Sequence, residues 1–128
     1  MPNAVEQAVD TYIRMWNEPD PALRAAMLEA CFAADGRMVS RSREIRGREE
    51  LTQFMTRFLA DPRLAKIRVT SPIDAQGTTF RFHAVVELRD GTLLESFDAG
   101  QIDAEGRIAL LLTFAGPLAA PGAPDREG

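Results

Sequence analysis

Residues 78–114 read TTFRFHAVVELRDGTLLESFDAGQIDAEGRIALLLTF, and this stretch decides the fold. Aromatic and β-branched residues alternate with polar residues along much of it, which is typical of β-strands. The dipeptides Asp90-Gly91 and Glu105-Gly106 are turn signals that join neighbouring strands as antiparallel pairs. The stretch therefore predicts three consecutive antiparallel strands, over about residues 78–88, 92–102 and 107–114.

Three segments before residue 61 carry apolar residues at helical spacing instead. Asn3, followed three residues later by Glu6, is typical of a helix N-cap with a capping box. Asp20 is a predicted N-cap of a second helix. Pro21 would then occupy the first helical position, where proline is common because no backbone N–H is needed there. The predicted helices run from Asn3 to just before Pro19, from Asp20 up to Gly36, and from Arg48 to Ala60, with an extended piece over residues 37–42.

The period changes from helical to alternating after the third helix, where Ile67, Val69, Ser71 and Ile73 predict a further strand. Helices first and strands afterwards indicate an α+β fold rather than a parallel βαβ sheet. We predict a cone-shaped, curved antiparallel sheet that encloses a pocket together with three N-terminal helices. Residues 1–118 form this one domain, and residues 119–128, which are rich in proline and glycine, form a flexible C-terminal tail.

The composition excludes several classes of function. A chain of 128 residues with a formal net charge of -4 offers no broad basic field for nucleic-acid phosphates. Cys31 is the only cysteine and His83 the only histidine, so we expect no intramolecular disulfide, no metal and no cofactor. No run approaches the ~20 apolar residues of a membrane span, and the N-terminus lacks the basic start of a secretory signal. We expect a cytoplasmic protein that binds neither nucleic acid nor membrane.

The Asp90-Gly91 turn also predicts a strand register. A two-residue hairpin loop pairs Arg89 with Thr92, and it then places His83 directly opposite Asp98. Such partners lie on one face with Cβ atoms about 5 Å apart, so the carboxylate would orient the imidazole in a catalytic acid/base pair. The alternative is an ion pair on a solvent-facing sheet. The two-residue period of a strand adds three residues to this face: Arg81, Val85 and Glu87.

The opposite face of the same strand is the more apolar one, and burial alone favours turning it toward the helices. Its residues are Phe80, Phe82, Ala84, Val86 and Leu88. Both faces can be covered if a second subunit packs on the outside of the sheet. We therefore predict a homodimer through an outer face around Phe80, Phe82, Val86 and Leu88.

Three residues outside the strands are candidates for ligand contact. Tyr12 and Trp16 lie one turn apart on the buried stripe of the first helix, where they serve either core packing or ligand binding. Arg41 carries a fixed fork of donors that suits an anionic ligand, although a run as basic as residues 40–43 also fits a solvated edge strand.

Short motifs over about residues 4–118 resemble the nuclear transport factor 2-like superfamily, particularly its ketosteroid-isomerase-like and SnoaL-like (polyketide-cyclase-like) branch. They are YIRMWN at residues 12–17, FAADG at 32–36, RGREEL at 46–51, DGT at 90–92 with Phe97-Asp98, GRI at 106–108, and FAG at 114–116. The resemblance implies a helix-backed cone around a pocket for an apolar or carbonyl-containing molecule. Motifs this short are more specific for fold than for activity.

The resemblance also implies roles for individual residues. Tyr12 matches the oxyanion-hole tyrosine of the isomerases, and Asp98 matches their protonated oxyanion-hole aspartic acid, the effect for which ketosteroid isomerase is a standard example. The isomerases carry their general-base aspartate where this chain has Ser40-Arg41-Ser42, so classical steroid isomerisation is not expected. The same match turns His83, Val85 and Glu87 into the pocket, where His83 or Glu87 would supply a relocated base.

Two functions follow from these residues. The first is a small-molecule enzyme of the isomerase, cyclase or hydrolase kind, in which Tyr12 polarises a carbonyl, Asp98 orients His83, and His83 or Glu87 moves the proton. The alternative is a noncatalytic ligand-binding or dimeric interaction module of the same fold.

Overall fold

Three helices and seven strands make up residues 3–116, the part of the chain that the computed structural model describes. The helices are α1 (Ala4–Trp16), α2 (Pro21–Cys31) and α3 (Gly47–Leu59). The strands are β1 (Phe32–Val39), β2 (Glu44–Arg46), β3 (Leu64–Val69), β4 (Asp74–Gln76), β5 (Thr79–Leu88), β6 (Leu93–Ile102) and β7 (Ile108–Ala115). The short strands β2 and β4 are absent from the sequence prediction, because three-residue strands carry too little alternation to detect.

The predicted helix starts are confirmed by their caps. The Asn3 side chain accepts the Glu6 N–H at 2.8 Å, and Asp20 Oδ1 accepts the Ala22 N–H at 2.9 Å. The predicted end of the second helix is wrong, because α2 stops at Cys31 and the chain enters β1 at Phe32 instead of continuing to Gly36. Phe32 is completely buried in the core, so its packing overrides a helical preference that was local and weak.

The strands form one open sheet in the order β2-β1-β7-β6-β5-β3. The short strand β4 pairs with the start of β5, on the same side of β5 that β3 occupies further along. The α+β cone fold is confirmed, but the sheet is mixed rather than purely antiparallel, since β1 runs parallel to β7. Tight turns fix the direction of consecutive strands only. Turn signals therefore could not predict the direction of β1 relative to β7, because the two strands are far apart in the sequence.

The inner face of the sheet packs against the helices and carries the apolar residues of β5. Phe80, Phe82 and Ala84 are all buried there. The prediction that the face with Phe80 and Phe82 turns outward toward a second subunit is therefore wrong. The more apolar face of β5 packs against the helices, as expected from burial alone.

Side-chain hydrogen bonds to the backbone fix the helices on the sheet. The Asn17 amide, just after α1, donates to the Ile67 carbonyl at 2.7 Å and accepts the Ile67 N–H at 2.9 Å. The Arg48 guanidinium at the start of α3 donates to the carbonyls of Phe32 at 2.8 Å and Glu29 at 3.1 Å. These bonds tie α1 to β3 at one end of the strand order, and α3 to β1 near the other end and to α2.

Two further sequence predictions concern the ends of the chain and the membrane. The predicted boundary between residues 118 and 119 and the tail beyond it lie outside the described residues. Among residues 3–116, no helix has the length and apolar character needed to cross a bilayer.

Candidate functional site

The hairpin between β5 and β6 closes with three residues rather than two. The Leu88 N–H donates to the Thr92 carbonyl at 2.9 Å, and Gly91 adopts a φ of 90° that suits glycine in such a loop. Asp98 consequently pairs with Phe82, and the predicted pairing of His83 with Asp98 is wrong. An aspartate-glycine turn fits loops of either length, so the sequence alone left the register open by one residue.

A slip of one residue exchanges the two faces of a strand. Asp98 lies on the inner face with Phe82, whereas His83 lies on the outer face with Phe97. Val85 and Glu87 share the outer face with His83, because they follow it at the two-residue period. The structure therefore brings Tyr12, Trp16 and Asp98 to the helix side of the sheet and places His83, Val85 and Glu87 on the other side.

Asp98 is the one buried charged side chain in the described part of the chain, and it is incompletely hydrogen-bonded. Within residues 3–116, two buried side-chain polar atoms lack a hydrogen-bond partner: Arg37 Nε and Asp98 Oδ1. Arg37 satisfies its charge through its other nitrogens, since Nη2 lies 3.1 Å from Glu44 Oε1. Asp98 Oδ1 has no such compensation, and buried polar groups without partners are uncommon in folded proteins.

Burial raises the pKa of the Asp98 carboxyl from its ordinary 3.8 to about 7, because the ionised form is poorly solvated there. The Ser96 hydroxyl, two residues away on the same face, acts in the opposite direction and lowers this pKa in part. With a pKa of about 7, Asp98 is present in both protonation states at neutral pH, which suits a group that takes up and returns a proton.

Tyr12 supplies a hydrogen-bond donor beside this carboxyl. Its ring is buried, and its hydroxyl lies 3.5 Å from Met38 Sδ, a weak acceptor. Burial raises the pKa of Tyr12 most, the negative charge of Asp98 raises it further, and Trp16 opposes the shift. Tyr12 therefore keeps its proton, and its hydroxyl is held by a partner that a stronger acceptor on a ligand would displace.

An aromatic cluster extends from Tyr12 toward solvent. The Trp16 ring contacts the Tyr12 ring at 6.2 Å edge to face, and it contacts Phe54 and Phe58 of α3 at 6.0 and 5.3 Å. Phe54 and Phe58 are absent from the predicted site, although the segment that carries them was predicted as a helix. No sequence signal joins the two helices, because their contact depends on how α1 and α3 pack on the sheet.

His83 and its neighbours form a separate polar cluster on the outer face. His83 Nδ1 is hydrogen-bonded to Thr70 Oγ1, and His83 Nε2 lies 3.4 Å from Glu95 Oε1. The imidazole also packs on the Phe97 ring at a centroid distance of 4.6 Å. Glu87 is paired with Arg68 at 3.3 Å, and Val85 is buried. The polar side chains of this cluster pair with neighbours on the outer face, and none of them contacts Asp98 on the inner face.

Arg41 lies in the exposed loop between β1 and β2, where its Nη2 donates to the Ala115 carbonyl at 3.5 Å. Arg43 of the same loop is also exposed, and its guanidinium lies 4.8 Å above the centre of the Phe54 ring. Arg43 was missing from the predicted site, since its contact with the aromatic cluster requires the fold of the loop.

Two other features of the molecule are poor candidates for a site. A surface depression of about 660 Å³ at the start of α3 is lined by Arg46, Arg48 and Glu50, among others, but these side chains are already engaged by Glu44, the Phe32 carbonyl and the Arg46 N–H. Burial raises the pKa of the Cys31 thiol to about 12, which leaves it inert. No group of three or more metal-ligating side chains occurs among residues 3–116.

Comparison with known proteins identifies the fold. No protein-family model and no curated protein matches the sequence. A solved structure from Agrobacterium tumefaciens, described as an isomerase of the SnoaL-like family, superposes with a TM-score of 0.79 at 21% identity, over 89% of this chain and 98% of that one. An NTF2-like protein of unknown function from Exiguobacterium sp. 255-15 gives 0.65 at 18% identity, over 87% and 99%.

A third solved structure, an LEH-like epoxide hydrolase from M. tuberculosis, gives a TM-score of 0.66 at 17% identity, over 88% of this chain and 82% of that one. These likenesses confirm the nuclear transport factor 2-like, SnoaL-like fold that the motifs predicted. Their identities are low and their described activities differ, so the function has to be argued from the residues of this chain.

Proposed function

We propose that the chain binds a small apolar molecule with a carbonyl or similar oxygen between α1 and the inner face of the sheet, and catalyses proton transfer on it. The observation that carries this proposal is the buried Asp98 carboxyl next to the protonated Tyr12: its Oδ1 has no hydrogen-bond partner among residues 3–116, and its pKa is about 7. Pairs of titratable groups whose environments separate their pKa values are typical of acid/base sites. The SnoaL-like isomerase with the same fold supports this class of reaction.

Each residue has one role in the proposed reaction. The Tyr12 hydroxyl leaves Met38 and donates its hydrogen bond to the substrate oxygen. The ionised Asp98 carboxylate takes a proton from the carbon next to the carbonyl, and the electron pair moves onto the oxygen that Tyr12 holds. Asp98 then returns the proton to another substrate atom. The reaction is a net isomerisation that consumes no other reactant.

His83 and Glu87 have no part in this mechanism, in contrast to the expectation from sequence. Their place on the outer face leaves the proton transfer to Asp98. Trp16 lines the aromatic side of the proposed site, where it packs against both Tyr12 and the phenylalanines of α3.

The proposed chemistry can be tested without knowing the natural substrate. We expect the protein to accelerate exchange of the α-hydrogens of 2-tetralone, a bicyclic ketone, for solvent deuterium, followed by proton NMR. Asp98→Asn should abolish the acceleration, and Tyr12→Phe should reduce it by roughly 10- to 100-fold, because each removes one proton-transfer or oxyanion contact. His83→Ala is the matched control and should leave the rate unchanged.

Exchange that is unaffected by Asp98→Asn would refute the mechanism. Binding of the ketone without any accelerated exchange would favour the alternative, a noncatalytic ligand-binding module of the same fold.

We also propose that the chain forms a homodimer through the outer face of the sheet. Phe97 and Phe114 are directly paired there across β6 and β7, with 41% and 59% of their surfaces exposed. Leu112 and Ala99 form the next pair on this face. Ala99 and Leu112 are half-buried, and exposed aromatic side chains next to such aliphatic ones are typical of an interaction surface. This surface replaces the one around Phe80 and Phe82 that the sequence favoured.

Light scattering at micromolar concentration should therefore give twice the chain mass of 14.1 kDa. The double variant Phe97→Glu/Phe114→Glu should give the single-chain mass, because charges in the buried centre of an interface are strongly disfavoured. Leu23→Glu, at an equally exposed leucine on α2, is the control and should stay dimeric. A wild-type protein of single-chain mass would exclude the dimer.

A further inference from the structure

Two arginines in the loop between β1 and β2, Arg41 and Arg43, have no acidic partner among residues 3–116. In the described part of the chain, Arg41 contacts only a backbone carbonyl through its side chain, and the Arg43 guanidinium contacts only an aromatic ring. The arginines on either side of this loop differ, since Arg37 and Arg46 share the Glu44 carboxylate at 3.1 and 2.6 Å. Within the described residues, the loop therefore carries two positive charges with no carboxylate beside them, on a chain whose net charge is -4.

The position of Arg41 connects the loop with the proposed site. The Ala115 carbonyl that holds Arg41 belongs to the residue paired with Ser96. Asp98 follows Ser96 by two residues on β6, which is the next position on the same face of the sheet. The Arg41 side chain is thus held at the strand pair Ser96–Ala115, which is the next pair on the same face of the sheet as Asp98 and its partner Thr113.

Arg43 reaches the same site from the helix side. Its guanidinium lies 4.8 Å above the Phe54 ring, which packs on Trp16 at 6.0 Å. Trp16 in turn packs on Tyr12 at 6.2 Å, and Tyr12 is close enough to Asp98 for the carboxylate to raise its pKa. A continuous aromatic path therefore leads from an exposed cation to the buried acid.

We propose that Arg41 and Arg43 bind a carboxylate group of the substrate, so that the substrate is an amphipathic organic acid. Its oxygen-bearing end would lie against Tyr12 and Asp98, its apolar body along Trp16 and Phe54, and its carboxylate at the loop. Guanidinium groups bind planar carboxylates through paired, charge-assisted hydrogen bonds, and neither arginine has such a bond in the described chain. The inference rests on the proposed function, because it assumes that the ligand occupies the Asp98 site.

Two naphthalene probes separate the carboxylate from the rest of the ligand. 2-Naphthol has the apolar body and the oxygen, and 6-hydroxy-2-naphthoic acid adds the carboxylate at the far end. Binding is followed by quenching of Trp16 fluorescence, which is specific because Trp16 is the only tryptophan. We expect the acid to bind about fivefold or more tightly than 2-naphthol, as for a well-oriented, partly exposed ion pair, with an advantage that shrinks at high salt.

The double variant Arg41→Gln/Arg43→Gln should remove this advantage while leaving the affinity for 2-naphthol unchanged. Arg81→Gln, the control, removes one positive charge from the outer face, where Arg81 pairs with Asp74, and should change neither affinity. Equal affinity of the wild-type protein for both probes would overturn the inference, as would an equal loss in the Arg81 control. Failure of both probes to quench Trp16 at millimolar concentration would overturn it as well.

The two proposals fail in different ways. If the acid binds more tightly through the arginines but 2-tetralone exchange does not depend on Asp98, the binding inference holds and the catalytic proposal fails. If exchange depends on Asp98 but the carboxylate adds no affinity, the catalytic proposal holds and this inference fails.

Discussion

Replacing Asp98 with asparagine is expected to stabilise the protein at pH 8 by about 2 to 4 kcal/mol, or on the order of 10 °C in melting temperature. The reason is that the folded chain holds this carboxyl at a pKa of about 7, compared with an ordinary value of 3.8. Above neutral pH, folding must therefore bury a poorly solvated charge that the unfolded chain exposes to water. The asparagine amide has a similar shape and no charge, so it removes this cost.

The pH dependence of the effect has a definite sign. The pKa of Asp98 is raised on folding, so the folded state binds more protons than the unfolded state between about pH 4 and pH 7. The stability of the wild-type protein should fall as the pH rises through this window and level off above it. The difference between Asp98→Asn and wild type should be largest at pH 8 and shrink steadily toward pH 4.

Thermal melts of both proteins at several pH values give this comparison directly. Asp10→Asn is a suitable control, because Asp10 is an exposed carboxylate in an ion pair with Arg14 at 2.9 Å. Its removal should give no gain in stability at any pH. A melting temperature of Asp98→Asn at pH 8 equal to or below that of the wild type would show that the carboxyl is well solvated.

Replacing Gly100 with alanine is expected to destabilise the fold by about 2 to 3 kcal/mol, as overpacking of a core typically does. Gly100 faces Phe80 across β5 and β6, and a Cβ at this position would lie 2.7 Å from Phe80 Cζ and against the Leu110 carbonyl oxygen. Neither the sheet backbone nor the buried ring can move away cheaply. The glycine also lets Phe80 stack on Phe82, the cross-strand neighbour of Asp98.

Gly77→Ala provides the matched comparison in denaturant unfolding. Gly77 has a φ of 59° and open space around its missing Cβ, so the substitution there costs only the backbone preference of glycine, about 1 kcal/mol. If Gly100→Ala costs no more than Gly77→Ala, the close packing of Phe80 against the strand would be disproved.

Local chemistry made most of the fold predictable from the sequence. The caps at Asn3 and Asp20 and the glycines in the turns depend on neighbouring residues only, and they define the helix starts and the hairpins. The parallel pairing of β1 with β7 and the early end of α2 at Cys31 depend on contacts between distant segments, which no local pattern encodes.

The candidate site was predictable in part for the same reason. Tyr12 and Asp98 were identified from motifs, and the structure places both on the helix side of the sheet. The predicted partner of Asp98, His83, was wrong because the loop at Asp90-Gly91 contains one residue more than expected. A register shift of one residue moves every side chain of a strand to the opposite face. Arg43 was missed because its contact with Phe54 joins a loop to a helix that the sequence does not connect.

The most direct test of the proposed site is a carbon-13 NMR titration of the side-chain carboxyl groups from acidic to alkaline pH. One aspartate carboxyl should titrate near pH 7, and this signal should be missing from Asp98→Asn and unchanged in His83→Ala. That result would establish a buried acid able to exchange protons at neutral pH. If every carboxyl instead titrates below about pH 5, in the ordinary range for aspartate and glutamate, Asp98 is solvated and the proposed proton transfer has no acid to carry it.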